Sequence, residues 1–169
     1  MALNAGLDYS YKITNRPKTR ADVTGGTDYE MRYKGLRWNI GGIYKFTSKN
    51  SLQADFVVDR FRYGKEYDVE TKDYAVGDYV QSKKQRMIEG GLKAILGLTS
   101  NSTTIFGADW RKDYLNATSG NIDQHVYTIA AYAQHEAKVR VGRGFVTTAL
   151  GLRYTHHQTF GTHLTPKAT

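Results

Sequence analysis

The chain has 169 residues, long enough for one domain with a sizeable core, and its formal net charge is +8. It has no cysteine, which excludes a disulfide framework and a thiolate metal site. No apolar run approaches the roughly 18 residues of a transmembrane helix, and the longest is Ile129 to Ala133. Residues 3–13 alternate apolar and polar side chains, the period of a half-buried strand, and the polar segment 14–26 predicts a loop.

Apolar side chains change parity once within residues 27–47. Tyr29, Met31 and Tyr33 are odd-numbered, whereas from Leu36 to Phe46 the apolar residues are even-numbered. The change falls at Lys34-Gly35 and has two interpretations, a two-residue hairpin or one long strand with a β-bulge. We favour the long bulged strand.

Four further strands are predicted between residue 51 and residue 154. The segments 83–97 and 103–111 alternate with period two, and 144–154 does so after a basic turn at 139–144. The segment 51–64 also alternates, with a second parity shift between Val58 and Phe61. In 125–138 the phase is ambiguous, and the polar series of even residues favours apolar odd residues such as Ile129. A strand over 125–138 brings the total to seven, and an eighth begins near Leu164. The sequence therefore predicts an all-β, antiparallel up-and-down meander of seven to eight long strands that forms a single segment over 1–169.

The predicted connections alternate in length. Those at 48–50, 99–102 and 139–144 are short, whereas those at 14–26, 64–81, 112–124 and 155–163 are longer. Short turns at one end of a sheet and long loops at the other are typical of outer-membrane β-barrels, whose strands need only about 9–11 residues. The abundance of tyrosine, 13 residues, fits strands at a boundary between apolar and wet phases.

The closing stretch resembles the barrel of TonB-dependent outer-membrane receptors. Residues 132–139 (YAQHEAKV), 150–154 (LGLRY) and 160–167 (FGTHLTPK) are similar to strands of that family over about 128–169. Ala137 stands where the family has an aromatic residue, and His135 where it has an acidic one. The resemblance implies a portion of a transmembrane β-barrel of 22 strands, cut from inside the barrel, without the plug domain.

The resemblance also implies a function and partners. The parent protein would import a scarce ligand, such as a siderophore, vitamin or glycan, across the bacterial outer membrane, and its N-terminal region would bind TonB. The expected partners are membrane lipid or lipopolysaccharide and the remaining barrel and plug. Two open sheet edges predict that the fragment curls or self-associates. The alternatives are a passive porin-like barrel, or a soluble β-barrel that binds a small ligand or nucleic acid through its basic turns; we expect no nucleic acid.

Five residues are candidates for ligand binding. Asp109, Arg111 and Arg153 fall on the polar parity near the strand ends, where charged lumen residues tune selectivity. Structural ion pairs are the equally weighted alternative for these three residues. His156 and His157 open a His-rich segment, and imidazole is a common metal ligand, although a solvated loop is the simpler interpretation. No motif of nucleophilic, phosphate-binding or zinc chemistry is present, so we predict no enzyme, no cofactor and no metal.

Overall fold

A computed structural model describes residues 1–15 and 29–169 as one open antiparallel sheet of eight strands. Each strand pairs with its neighbours in chain order, which confirms the predicted all-β meander and its eighth strand. Among the described residues, no helix is long and apolar enough to cross a membrane. The strands are β1 (Ala2–Asn15), β2 (Tyr29–Lys45), β3 (Ser51–Tyr67), β4 (Tyr79–Gly97), β5 (Ser102–Ala117), β6 (Ile122–Val141), β7 (Gly144–His157) and β8 (Gly161–Ala168).

The pairing register gives the sheet one apolar and one polar face. The apolar face is defined by a row of paired residues that crosses β1 to β4 and consists of Leu7, Trp38, Val58 and Ile88. The row below it contains Ile40, Phe56, Trp110 and Ile129. The opposite, polar face carries the alternating residues of the same strands, because successive side chains of a strand point to opposite sides. In β6 the odd-numbered residues, such as Ile129, lie on the apolar face, which confirms the side of the sheet predicted for them.

The apolar side chains do not form an interior. Within the described ranges the buried apolar residues are Val58 and Ala130, whereas Leu92 is 50% exposed and Leu150 is 66% exposed. A soluble domain of this length hides a large share of its apolar side chains between two layers. Here a single layer leaves them on its surface.

The predicted bulge at Lys34-Gly35 is wrong, although the single long strand is confirmed. Gly35 pairs with Ser10 on one side and Phe61 on the other, and the register continues unbroken through it. The apolar parity changes at the same level in β2 and β3, so the faces themselves change character there. The register shift between β3 and β4 lies instead at Tyr63/Gly64.

Three predicted long loops are much shorter than the sequence indicated. The loop at 64–81 contracts to residues 68–78, that at 112–124 to 118–121, and that at 155–163 to 158–160. The polar residues of these segments continue the hairpins, because the ladder is made by backbone groups and does not require an apolar face. The short turns at the other end are confirmed, at 46–50, 98–101 and 142–143. The loop predicted at 14–26 lies almost wholly outside the described residues.

Candidate binding surface on the polar face

The polar face is concave at the level of the sheet where the two faces change character. A cavity of about 740 Å³ is lined by residues from six successive strands, from Asp8 and Ser10 in β1 to Gln124 and Val126 in β6. Side chains of strands so far apart in the sheet can share one cavity only if the sheet curls toward this face. The curl creates a hollow without closing a barrel, since β1 and β8 each pair on one side only in the described part of the chain.

Charges of both signs line this hollow. Arg111 lies between two carboxylates: its Nε and Nη2 donate to Asp113 at 2.7 and 2.9 Å, and its Nη1 is 4.0 Å from Glu89. Arg37 and Asp59 occupy paired positions of β2 and β3 on the same wall. A cavity lined in this way presents hydrogen-bond donors and acceptors to a polar solute rather than a uniform field.

Asp109 and Arg153 form a second charged group lower on the same face. Arg153 Nη2 is 3.0 Å from Asp109 Oδ2, although the two residues lie on β7 and β5 with β6 between them. The guanidinium also stands 5.4 Å from the ring centroid of Tyr132 in β6. That ring lies over Gly107, where any Cβ would collide with it. With both partners more than a third exposed, such an ion pair contributes at most about 1 kcal/mol.

An aromatic ladder covers the polar face toward the long-loop end. Tyr33 is 5.5 Å from Tyr63 and 6.4 Å from Phe61, measured between ring centroids. Farther up, Tyr67 stacks on Tyr74 at 4.4 Å, and Tyr29 meets Tyr67 edge to face at 5.9 Å. Phe61 also lines the cavity, so the ladder continues the concave wall upward. Flat rings on such a wall suit stacking against planar or sugar-like solutes.

The five sequence candidates do not form one site. The structure joins Asp109 to Arg153 and places Arg111 in the cavity. His156 lies on the apolar face opposite Ile129, with its Nδ1 3.1 Å from Thr162 Oγ1. His157 lies on the polar face, where its Nδ1 accepts from the backbone N–H groups of residues 159 and 160. The two histidines are therefore on opposite sides of β7, and His157 acts as a turn cap.

Other members of the cavity wall were missed by sequence reasoning. These residues alternate with the apolar residues of their own strands, as Arg111 does, and this alternation could have identified them from the sequence: Asp8, Arg37, Asp59 and Asp113. Which of them meet depends on the register of six strands, which no local pattern carries. Within the described ranges, no group of three or more His, Asp or Glu residues is placed to hold a metal ion. Comparison with known protein families, curated proteins and solved structures found no match to this chain.

Proposed function

We propose that the chain forms part of the wall of a TonB-dependent outer-membrane receptor, with its apolar face against lipid and its polar face toward the ligand path. The observation that carries the proposal is the continuous apolar face that extends over all eight strands and packs against nothing in the described structure. An exposed apolar area of this extent marks a membrane or protein contact. The resemblance of residues 128–169 to receptor strands selects the membrane.

The dimensions of the apolar face support the proposal. In β1 the outward residues run from Leu3 to Ile13, ten steps of ~3.3 Å or roughly 33 Å along the strand. A strand tilt of about 40° projects this length to roughly 25 Å, the height of the apolar band of outer-membrane barrels. Aromatic residues lie toward both ends of the band, with Tyr9 and Tyr11 in its upper part and the edge-to-face pair Tyr44 and Phe46, 4.9 Å apart, at the other end.

The proposal assigns the charged cavity and the aromatic ladder to the route of a polar ligand. The segment itself performs no chemistry in this account. Its edge strands β1 and β8 would each pair on the remaining side with a neighbouring strand of the whole receptor, which removes the exposed edges.

Quenching of tryptophan fluorescence by brominated lipid tests the proposal. Trp38 and Trp110 both lie on the apolar face, so each single-tryptophan variant, W110F and W38F, is expected to be quenched strongly in vesicles of bromine-labelled phosphatidylcholine. The control carries Val57→Trp in the W38F/W110F background, which puts the ring on the polar face beside Trp38's partner Val58. That control should respond to aqueous iodide instead. Equal bromine quenching at positions 57 and 38, or none at either native tryptophan, contradicts the proposal.

A further inference from the structure

A block of five cations lies on the apolar face of β2, β3 and β4, in the rows of Tyr9 and Tyr11 of β1 and directly above the rows that contain Trp38 and Ile40. The register aligns Lys34, Arg62 and Lys84 in one cross-strand row and Arg60 and Arg86 in the row below. Four of the five are exposed and Lys34 is half-buried. We call these five residues the basic patch.

The basic patch places like charges directly opposite one another, although Lys34 lies over the rings of Tyr11 and Tyr79 and Arg86 over that of Tyr114. Directly opposed side chains have Cβ atoms about 4.5–5.5 Å apart, and like charges at that spacing destabilise a sheet. Among the described residues no carboxylate approaches any of the five within salt-bridge distance. One row higher the same face shows the opposite case, because Arg32 is neutralised by Glu66 at 2.6 Å. The patch is thus a concentration of unneutralised charge.

The patch surrounds a recess that an anionic group can enter. A pocket of about 350 Å³ is lined by all five cations together with Tyr9 and Leu36. The next two rows below it are apolar and contain Trp38, Val58, Ile40 and Phe56. Positive charge therefore meets a hydrocarbon-like surface within one row of side chains. This order matches an amphiphile whose phosphates lie directly above its acyl chains.

We propose that the basic patch binds the phosphates of a membrane glycolipid of the lipid A type, with the acyl chains along the apolar rows below. This inference rests on the proposed function, since it requires the apolar face to contact lipid. The lysine and arginine heads donate charge-assisted hydrogen bonds to phosphate oxygens, and the facing cations cease to repel when the phosphates lie between them. Nucleic acid would use the cations but would leave the adjoining apolar rows uncovered, so lipid is the better fit.

Energy transfer from Trp38 to a dansyl-labelled, bis-phosphorylated lipid A tests the proposal. The full chain with W110F is folded into phosphatidylcholine vesicles, and the lipid A content that gives half-maximal transfer is measured. The variant R62Q/K84Q removes two cations of the patch. The control K83Q/K93Q removes two from the polar face of β4, with Lys83 adjacent to Lys84. Each cation at an anionic surface strengthens binding about fivefold, so R62Q/K84Q should raise about thirtyfold the lipid A content that gives half-maximal transfer. The control K83Q/K93Q should leave that content unchanged.

Several outcomes would overturn the inference. They are an equal loss in the two double variants, equal binding of dephosphorylated lipid A, or displacement of lipid A by inorganic phosphate or by a short oligonucleotide at similar concentration. If R62Q/K84Q does not fold, the single pair K84Q and K83Q gives the same comparison with an expected difference of about fivefold. Bromine quenching of Trp38 in the same vesicles separates the two proposals: a quenched chain without preference for lipid A overturns this inference alone, and an unquenched chain contradicts the proposed function.

Discussion

The substitution Ala131→Arg should destabilise the chain folded in a phosphatidylcholine bilayer by about 2–4 kcal/mol, the cost of an arginine on the lipid-facing surface near mid-membrane. Ala131 lies in the middle of the apolar rows, between Ala108 of β5 and Tyr154 of β7. Its side chain is exposed and small, so the substitution removes little packing and mainly adds charge. The free energy of unfolding is measured by urea titration of the vesicle-bound chain.

The matched control for Ala131→Arg is Gln134→Arg, three residues farther along β6 on the polar face. Gln134 already lies among polar groups, with its Nε2 donating to Glu136 at 2.6 Å, and its replacement should cost less than about 1 kcal/mol. If both variants lose the same stability, or if Ala131→Arg is neutral in the bilayer, the assignment of the faces is wrong.

The substitution Gly64→Ala should destabilise the sheet by about 1–3 kcal/mol, the usual cost of overpacking. Gly64 is buried at the register shift between β3 and β4, where an added Cβ would collide with the backbone carbonyl of Val80 and with the ring of Tyr79. A backbone atom cannot rotate away, so the strand itself must move.

Gly90→Ala is the control for Gly64→Ala. At Gly90 in β4 the new methyl group would be 3.5 Å from Phe56 and 3.7 Å from the Asp55 carbonyl, ordinary contact distances. Alanine there should be neutral or should stabilise by about 0.5–1 kcal/mol, since glycine loses more conformational freedom on folding. A urea denaturation series in which Gly64→Ala unfolds at the wild-type midpoint would contradict the described register shift.

The strand order and the two faces were predictable because they depend on local alternation. In β7 the apolar residues Val146, Leu150 and Leu152 share one parity, and a period of two has a single structural meaning in a chain without helical periodicity. The strand ends were not predictable. Toward the long-loop ends of β5 and β7 polar and apolar residues no longer alternate, although the backbone ladder continues to Ala117 and His157.

The candidate surface was predictable only in part, because parity gives the face and register gives the neighbours. Parity placed Asp109, Arg111 and Arg153 on the polar face, as the structure has them. The contact between Asp109 and Arg153 crosses an intervening strand, and no sequence spacing specifies it. The parity change at Lys34-Gly35 was taken for a bulge because the upper aromatic ladder, which reverses the apolar face, requires three-dimensional pairing of β2 with β3 to be recognised.

The central claim is that one face of this sheet contacts lipid and the other contacts water, and a spin-label scan of β6 tests it most directly. The chain has no cysteine, so single cysteines from 127 to 138 can be labelled without removing a native thiol. In phosphatidylcholine vesicles, accessibility to oxygen should peak at residues 127, 129, 131 and 133, and accessibility to a water-soluble nickel complex at 128, 132 and 134, whereas residue 130 is buried and should be low in both. Accessibility without a period of two, or with the two reagents in the opposite phase, would contradict the account.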